Sequence, residues 1–125
     1  MPITEAKFKD QISRGTQTIF EEGKKLFAED VNVVSLAAYN IYQWVDLIIC
    51  DIWDYNKYHQ KWLNEPECKF LVYRKCKSNT DEEKKIEILT NLKLAIEPTL
   101  EHFKKDKRTN DFYEKLHEIY TKLVK

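Results

Sequence analysis

Glu114 and His117 are three residues apart, a spacing that on a helix places a carboxylate and an imidazole on one face. Helical di-iron centres need two such pairs and two further carboxylates pointing inward. The chain offers a single ExxH, and His102 directly follows Glu101, so those side chains diverge by about 100° around a helix. With Leu116 and Ile119 as the apolar members of the same stretch, Glu114 and His117 are expected on an exposed flank. His59, Cys50, Cys68 and Cys76 are zinc ligands by type, but they lack the C-x2–4-C or H-x3–5-H spacing of a zinc site. Cys76 lies among Arg74, Lys75 and Lys77, cations that would lower a thiol pKa, yet no histidine is near in sequence to complete a nucleophile. Asp46, Asp51 and Asp54 supply carboxylates for a cation or a shared proton, and their place on a wet helix stripe accounts for them without either. The only glycines are Gly15 and Gly23, which excludes a glycine-rich phosphate loop. The reading is therefore no catalytic residue, no metal and no cofactor: not an enzyme.

Residues suited to contact are more plentiful. Trp44, Tyr55, Tyr58 and Trp62 follow one another along the helix expected to be the second, the last three at its close. Trp and Tyr bring large contact area at low entropic cost, which makes them an expected interaction surface. A second candidate is the stretch 69–77, where Phe70 and Tyr73 alternate with Lys69, Arg74, Lys75 and Lys77. Aromatics that stack on bases beside cations that neutralise phosphate are what a single strand of nucleic acid requires. The run is short, and burial of Phe70 and Leu71 between solvated basic flanks explains it as well.

The elements that carry these residues are expected to be helices in one domain, residues 1–125. Two glycines and three prolines are too few for the turns of a β-sandwich or barrel. Helix one is expected from Thr4 to about Phe27, with Phe8, Ile12, Gly15, Ile19 and Leu26 inward and the glycines allowing a neighbour close. Helix two, the centre of the molecule, is expected from Asp30–Asn32 to about Leu63. Its seam Val34, Ala38, Ile41, Val45, Ile48, Ile52, Tyr55 repeats at alternating spacings of 4 and 3. Leu36, Tyr42, Leu47, Ile49 and Trp53 add apolar surface beyond that seam. A narrow polar stripe through Asn32, Ser35, Asn40 or Tyr39, Gln43, Asp46, Asp51 or Cys50, and Asp54 is expected to be its wet side.

Pro66 stops that helix. Thr80 followed by Glu83 reads as a capping box that opens helix three. Helix three is expected to continue through Pro98 as one kinked helix, with Ile86, Leu89, Leu92 or Lys93, Ile96, Leu100 and Phe103 inward; the alternative is a break with Pro98 as the first residue of a new helix. Residues 104–108 (KKDKR) read as a solvated turn. Thr109 or Asn110 then caps helix four, whose stripe is Phe112, Leu116, Ile119 and Leu123. The expected fold is all-α: a four-helix-bundle-like domain with a long central second helix.

Charge and cysteine content bound the setting. Residues 1–56 hold 5 basic and 9 acidic side chains and residues 57–125 hold 16 and 12, so a balanced chain is acidic in its first half and basic in its second. Neither excess implies nucleic acid by itself. Three cysteines without a CxxC argue against a disulfide framework, and the charged N-terminal stretch lacks the apolar core of a signal peptide, so a cytoplasmic setting is expected. Polar residues every few positions in 31–50 argue against a membrane span. Together these features suggest a non-enzymatic protein–protein interaction module, self-associating through helix two or docking another protein. The alternative is a helical nucleic-acid-binding subunit that uses the basic second half.

Overall fold

The computed structural model describes residues 4–52 and 80–124, Cys50 as backbone only. Among the described residues there are helices and no strands: α1 (Glu5–Gly23), α2 (Val31–Ile52), α3 (Asp81–Ile96), α4 (Leu100–Lys105) and α5 (Asn110–Leu123). The 3-10 turn Glu97–Thr99 joins α3 to α4 with right-handed helical backbone on both sides, so the two act as one rod. Among the described residues four rods therefore make up the bundle, in keeping with the all-α fold expected from the sequence.

Local chemistry starts each rod. The Thr4 hydroxyl accepts from the Lys7 N–H at 3.2 Å, and Thr80 does the same for Glu83 at 3.2 Å, each satisfying an amide that the first helical turn leaves free. Asp30 opens α2: its carboxylate accepts from the Asn32 N–H and its carbonyl from Val33 and Val34. The first helix ends four residues earlier than the apolar stripe suggested. Gly23, a poor helix former, is its last residue, and the chain then turns through residues 24–28 with Leu26 still buried. At Pro98 the missing N–H removes one α-helical bond, and the backbone tightens into the 3-10 turn rather than stopping.

The entry to α5 differs from the expected threonine cap. Asp106, in extended conformation, accepts from the Arg108 N–H and starts the 3-10 turn Lys107–Thr109. The buried Thr109 hydroxyl donates to the carbonyls of Phe103 and Asp106, closing the corner between α4 and α5, so it caps nothing on α5 itself. Phe103 and Phe112 meet edge to face across that corner, ring centres 5.0 Å apart.

Around the bundle the order is α1, α2, the α3–α4 rod and α5, which closes back on α1. Three contacts fix the directions. Lys85 at the start of α3 donates to the Glu29 carbonyl just before α2, so α2 and α3 begin at the same end. Lys7 near the start of α1 acts on Asp51 near the finish of α2, which makes those two antiparallel. Arg108 before α5 pairs with Glu5 at the first residue of α1, so α1 and α5 run parallel. The sense is up, down, down, up. The last residue of α2 and the first of α3 lie at opposite ends of the bundle, and α1 with α2 and the α3–α4 rod with α5 make two antiparallel pairs.

The core is continuous. Phe8, Ile12 and Ile19 of α1, Val34 to Ile49 of α2, Leu92 and Ile96 of α3 and Phe112, Leu116 and Ile119 of α5 belong to one cluster. Each such side chain contributes roughly 1.5–3 kcal/mol on burial, which isolated helices of this length need to persist in water. The phase of α3 differs from the one expected. Ile86 is 65% exposed, and Leu89 and Leu100 are half-buried, whereas Ile88, Leu92, Ala95, Ile96 and Phe103 are inside. The α3 sequence carries apolar residues on two faces, and packing against both α2 and α5 selects the face that contains Ile88.

Candidate interaction surface

The central helix divides into two sides. Val34, Ala37, Ala38, Ile41, Tyr42, Val45, Ile48 and Ile49 are buried. On the outward side Val33 (37%), Leu36 (55%) and Leu47 (40%) remain exposed. Gln43 is exposed with them and Asn40 is half-buried. The polar stripe expected as the wet side is seen in part: Asn32 and Gln43 are exposed, Ser35, Tyr39, Asn40, Asp46 and Asp51 are half-buried, and Val33, Leu36 and Leu47 share the side that faces water. Asp46 and Asp51 also fail to form one acidic stripe, since five residues carry them about 140° apart around the helix. The signal for the outward row was present in its spacing: Val33, Leu36, Asn40, Gln43 and Leu47 step by 3, 4, 3 and 4.

Of the four aromatic contact candidates, Trp44 lies within α2. It is half-buried, packed on the core, and turned toward α1 where Gly15 leaves room for it. A Cβ at Gly15 would come within 2.8 Å of the Trp44 ring, 2.9 Å of Ile48 and 3.3 Å of Phe112. The close approach read from the glycines is thus what the structure displays, and α1 runs unbroken through Gly15. Tyr55, Tyr58 and Trp62, and the basic-aromatic set Lys69, Tyr73, Arg74, Lys75 and Lys77, lie outside the described residues, as do His59, Cys68 and Cys76.

The turn read as solvated, residues 104–108, holds one residue that is not free. Arg108 donates to both Asp106 oxygens and to Glu5, with closest approaches of 2.6 and 2.7 Å, and its guanidinium lies over the Phe8 ring at 4.4 Å. Hydrogen bonding from Arg108 holds the Asp106 carboxyl below the usual carboxylate range. Beside this cluster, α1 and α5 leave a shallow groove of about 510 Å³, lined by Lys9, Thr16, Phe20, Arg108, Asp111 and Lys115. Its charges are mixed, and the exposed Phe20 ring is flanked by the ammonium groups of Lys24 and Lys115, at 4.1 and 4.9 Å.

The chemical candidates stay apart. Glu114 and His117 are both exposed, and the imidazole stacks near Tyr113 at 5.6 Å between ring centres. No group of three metal-ligating side chains occurs among the described residues. Asp51 is half-buried, with Oδ2 enclosed and unbonded. Desolvation pushes its carboxyl above the ordinary range while Lys7 opposes that shift. Among the described residues no helix is long and apolar enough to cross a membrane.

Comparison of the chain with protein-family models, with curated proteins and with solved structures finds no match.

Proposed function

We propose that this chain is a non-enzymatic helical interaction module that docks a protein partner along the outward side of α2. The observation behind this reading is the row Val33, Leu36 and Leu47. These large apolar residues stay in water on the helix whose other side is the most completely buried in the bundle. A single exposed leucine is ordinary, whereas a row at heptad spacing is the form in which one helix presents itself to another. The scattered candidates for chemistry, with Glu114 and His117 exposed and Asp46 and Asp51 on different sides, support a binding rather than a catalytic role.

A photo-reactive amino acid placed at Leu36 tests the reading in cells that produce the full chain. The expected result is a covalent adduct of discrete mass that disappears when Leu47→Lys is added and is absent when the probe is moved to exposed Glu101. Failure of the Leu36 probe to give any discrete adduct would overturn it. The nucleic-acid alternative loses one of its cations to the Arg108 cluster. Salt-sensitive binding of labelled RNA or single-stranded DNA at low ionic strength is the measurement that would favour it.

A further inference from the structure

We infer that Gln11 and Asp51 form a pH-sensitive latch between α1 and α2. In acid the Asp51 carboxyl takes a proton from solvent and donates a hydrogen bond to Gln11 Oε1; at neutral pH that bond is absent. The inference is independent of the docking surface proposed above.

Two side-chain oxygens among the described residues are enclosed without a donor: Oε1 of Gln11 on α1 and Oδ2 of Asp51 on α2. Enclosed polar atoms in folded proteins are nearly always hydrogen-bonded, so each of these calls for a cause. Helix register brings the two to the same level. A Cβ at Gly15 would touch Trp44 and Ile48, and Lys7 acts on Asp51. Lys7, Gln11 and Gly15 follow at steps of four along one side of α1, while Ile48 and Asp51 are three apart on α2. The helices are antiparallel, so the turn of α1 that carries Gln11 meets α2 between Ile48 and Asp51.

Two acceptors cannot bond each other. An ionised carboxylate only accepts, whereas the protonated acid gains one O–H donor, and an amide oxygen accepts it. One proton therefore satisfies both enclosed atoms. Lys7 does not supply the missing donor, since it is exposed and acts on Asp51 through its charge alone. That charge favours the ionised form, while burial of the carboxyl favours the neutral one. On α2 itself, Asp46 stands five residues earlier and about 140° round the helix. Asp54, three residues later in sequence, lies outside the described residues. Among the described residues no charge of the α3–α4 rod or of α5 acts on Asp51.

Carbon-detected NMR of the full chain follows the Asp51 carboxyl and the Gln11 side-chain carbonyl through a pH titration. The two signals should move together with one midpoint, above the ordinary 3.8. Gln11→Met keeps the length of the side chain and removes the acceptor. In that variant the Asp51 midpoint should fall by about 0.5–1 pH unit, the worth of one net hydrogen bond to the neutral form. An Asp51 midpoint that Gln11→Met leaves in place overturns the inference. So does a midpoint that rises, which would mean that the Gln11 amide donates to the ionised carboxylate. A Gln11 carbonyl in the unaltered chain that ignores the Asp51 titration overturns it without any variant.

Discussion

Gly15 is a residue of α1 against which side chains of both α2 and α5 pack. In an ordinary helix interior, alanine would be better than glycine by about 1 kcal/mol. Here the added methyl meets the Trp44 ring and Ile48 below 3.0 Å, and Phe112 stands just behind them. Gly15→Ala is expected to lower stability by about 1–3 kcal/mol, the range for overpacking a filled core, as read by chemical denaturation. Asp51 gives a second residue-scale expectation, with a pH signature. Its carboxyl is raised above the ordinary 3.8, chiefly by desolvation, so the ionised form is less favourable folded than unfolded. That penalty is fully present above the raised value, shrinks as pH falls through it, and is gone below 3.8, where both states hold the proton. Asp51→Asn should therefore raise the melting temperature at neutral pH and change it little at about pH 3. Equal shifts at both pH values would count against this account.

At the scale of elements, the legible parts were those that local chemistry and a single stripe determine. Thr4 and Thr80 act as caps, α2 from Val34 to Ile48 and α5 from Phe112 to Ile119 bury the seams their spacing indicates, and helical backbone continues through Pro98. The phase of α3 was not legible, because Ile86, Ile88, Leu89, Leu92 and Leu94 leave no single apolar face and only the neighbours decide between them. Nor was the role of Arg108, whose partner Glu5 is 103 residues away. That contact ties the start of α1 to the corner before α5. Arg108→Ala should cost about 1 kcal/mol by denaturant titration, a sum of ion pairs that are modest at a surface and one cation–π contact. Since Asp106 is held below its ordinary 3.8, the stabilisation is complete above that pH and is lost as pH falls from 3.8 through the lowered value. The difference between variant and parent should therefore shrink in strong acid toward what the Phe8 contact alone contributes, the opposite trend in pH to that of Asp51.

At the scale of the molecule, composition and spacing indicated four helical rods but not their directions. Hydrophobic period says which side of a helix is inward and nothing about which way its neighbour runs; the parallel pairing of α2 with α3 rests on distant contacts such as Lys85 with Glu29. The outward row of α2 was visible as surplus apolar residues, yet its separation from the buried seam depended on where α1 and α3 stand.

The up, down, down, up course has one more consequence. The first residue of α1 and the last of α5 lie at opposite ends of the bundle, because the two helices run side by side in the same direction. The 14 residues of α5 separate those points by on the order of 20 Å along the bundle. A tether from Val124 back to Thr4 would therefore need at least about six extended residues, and a shorter one would have to unwind a terminal turn.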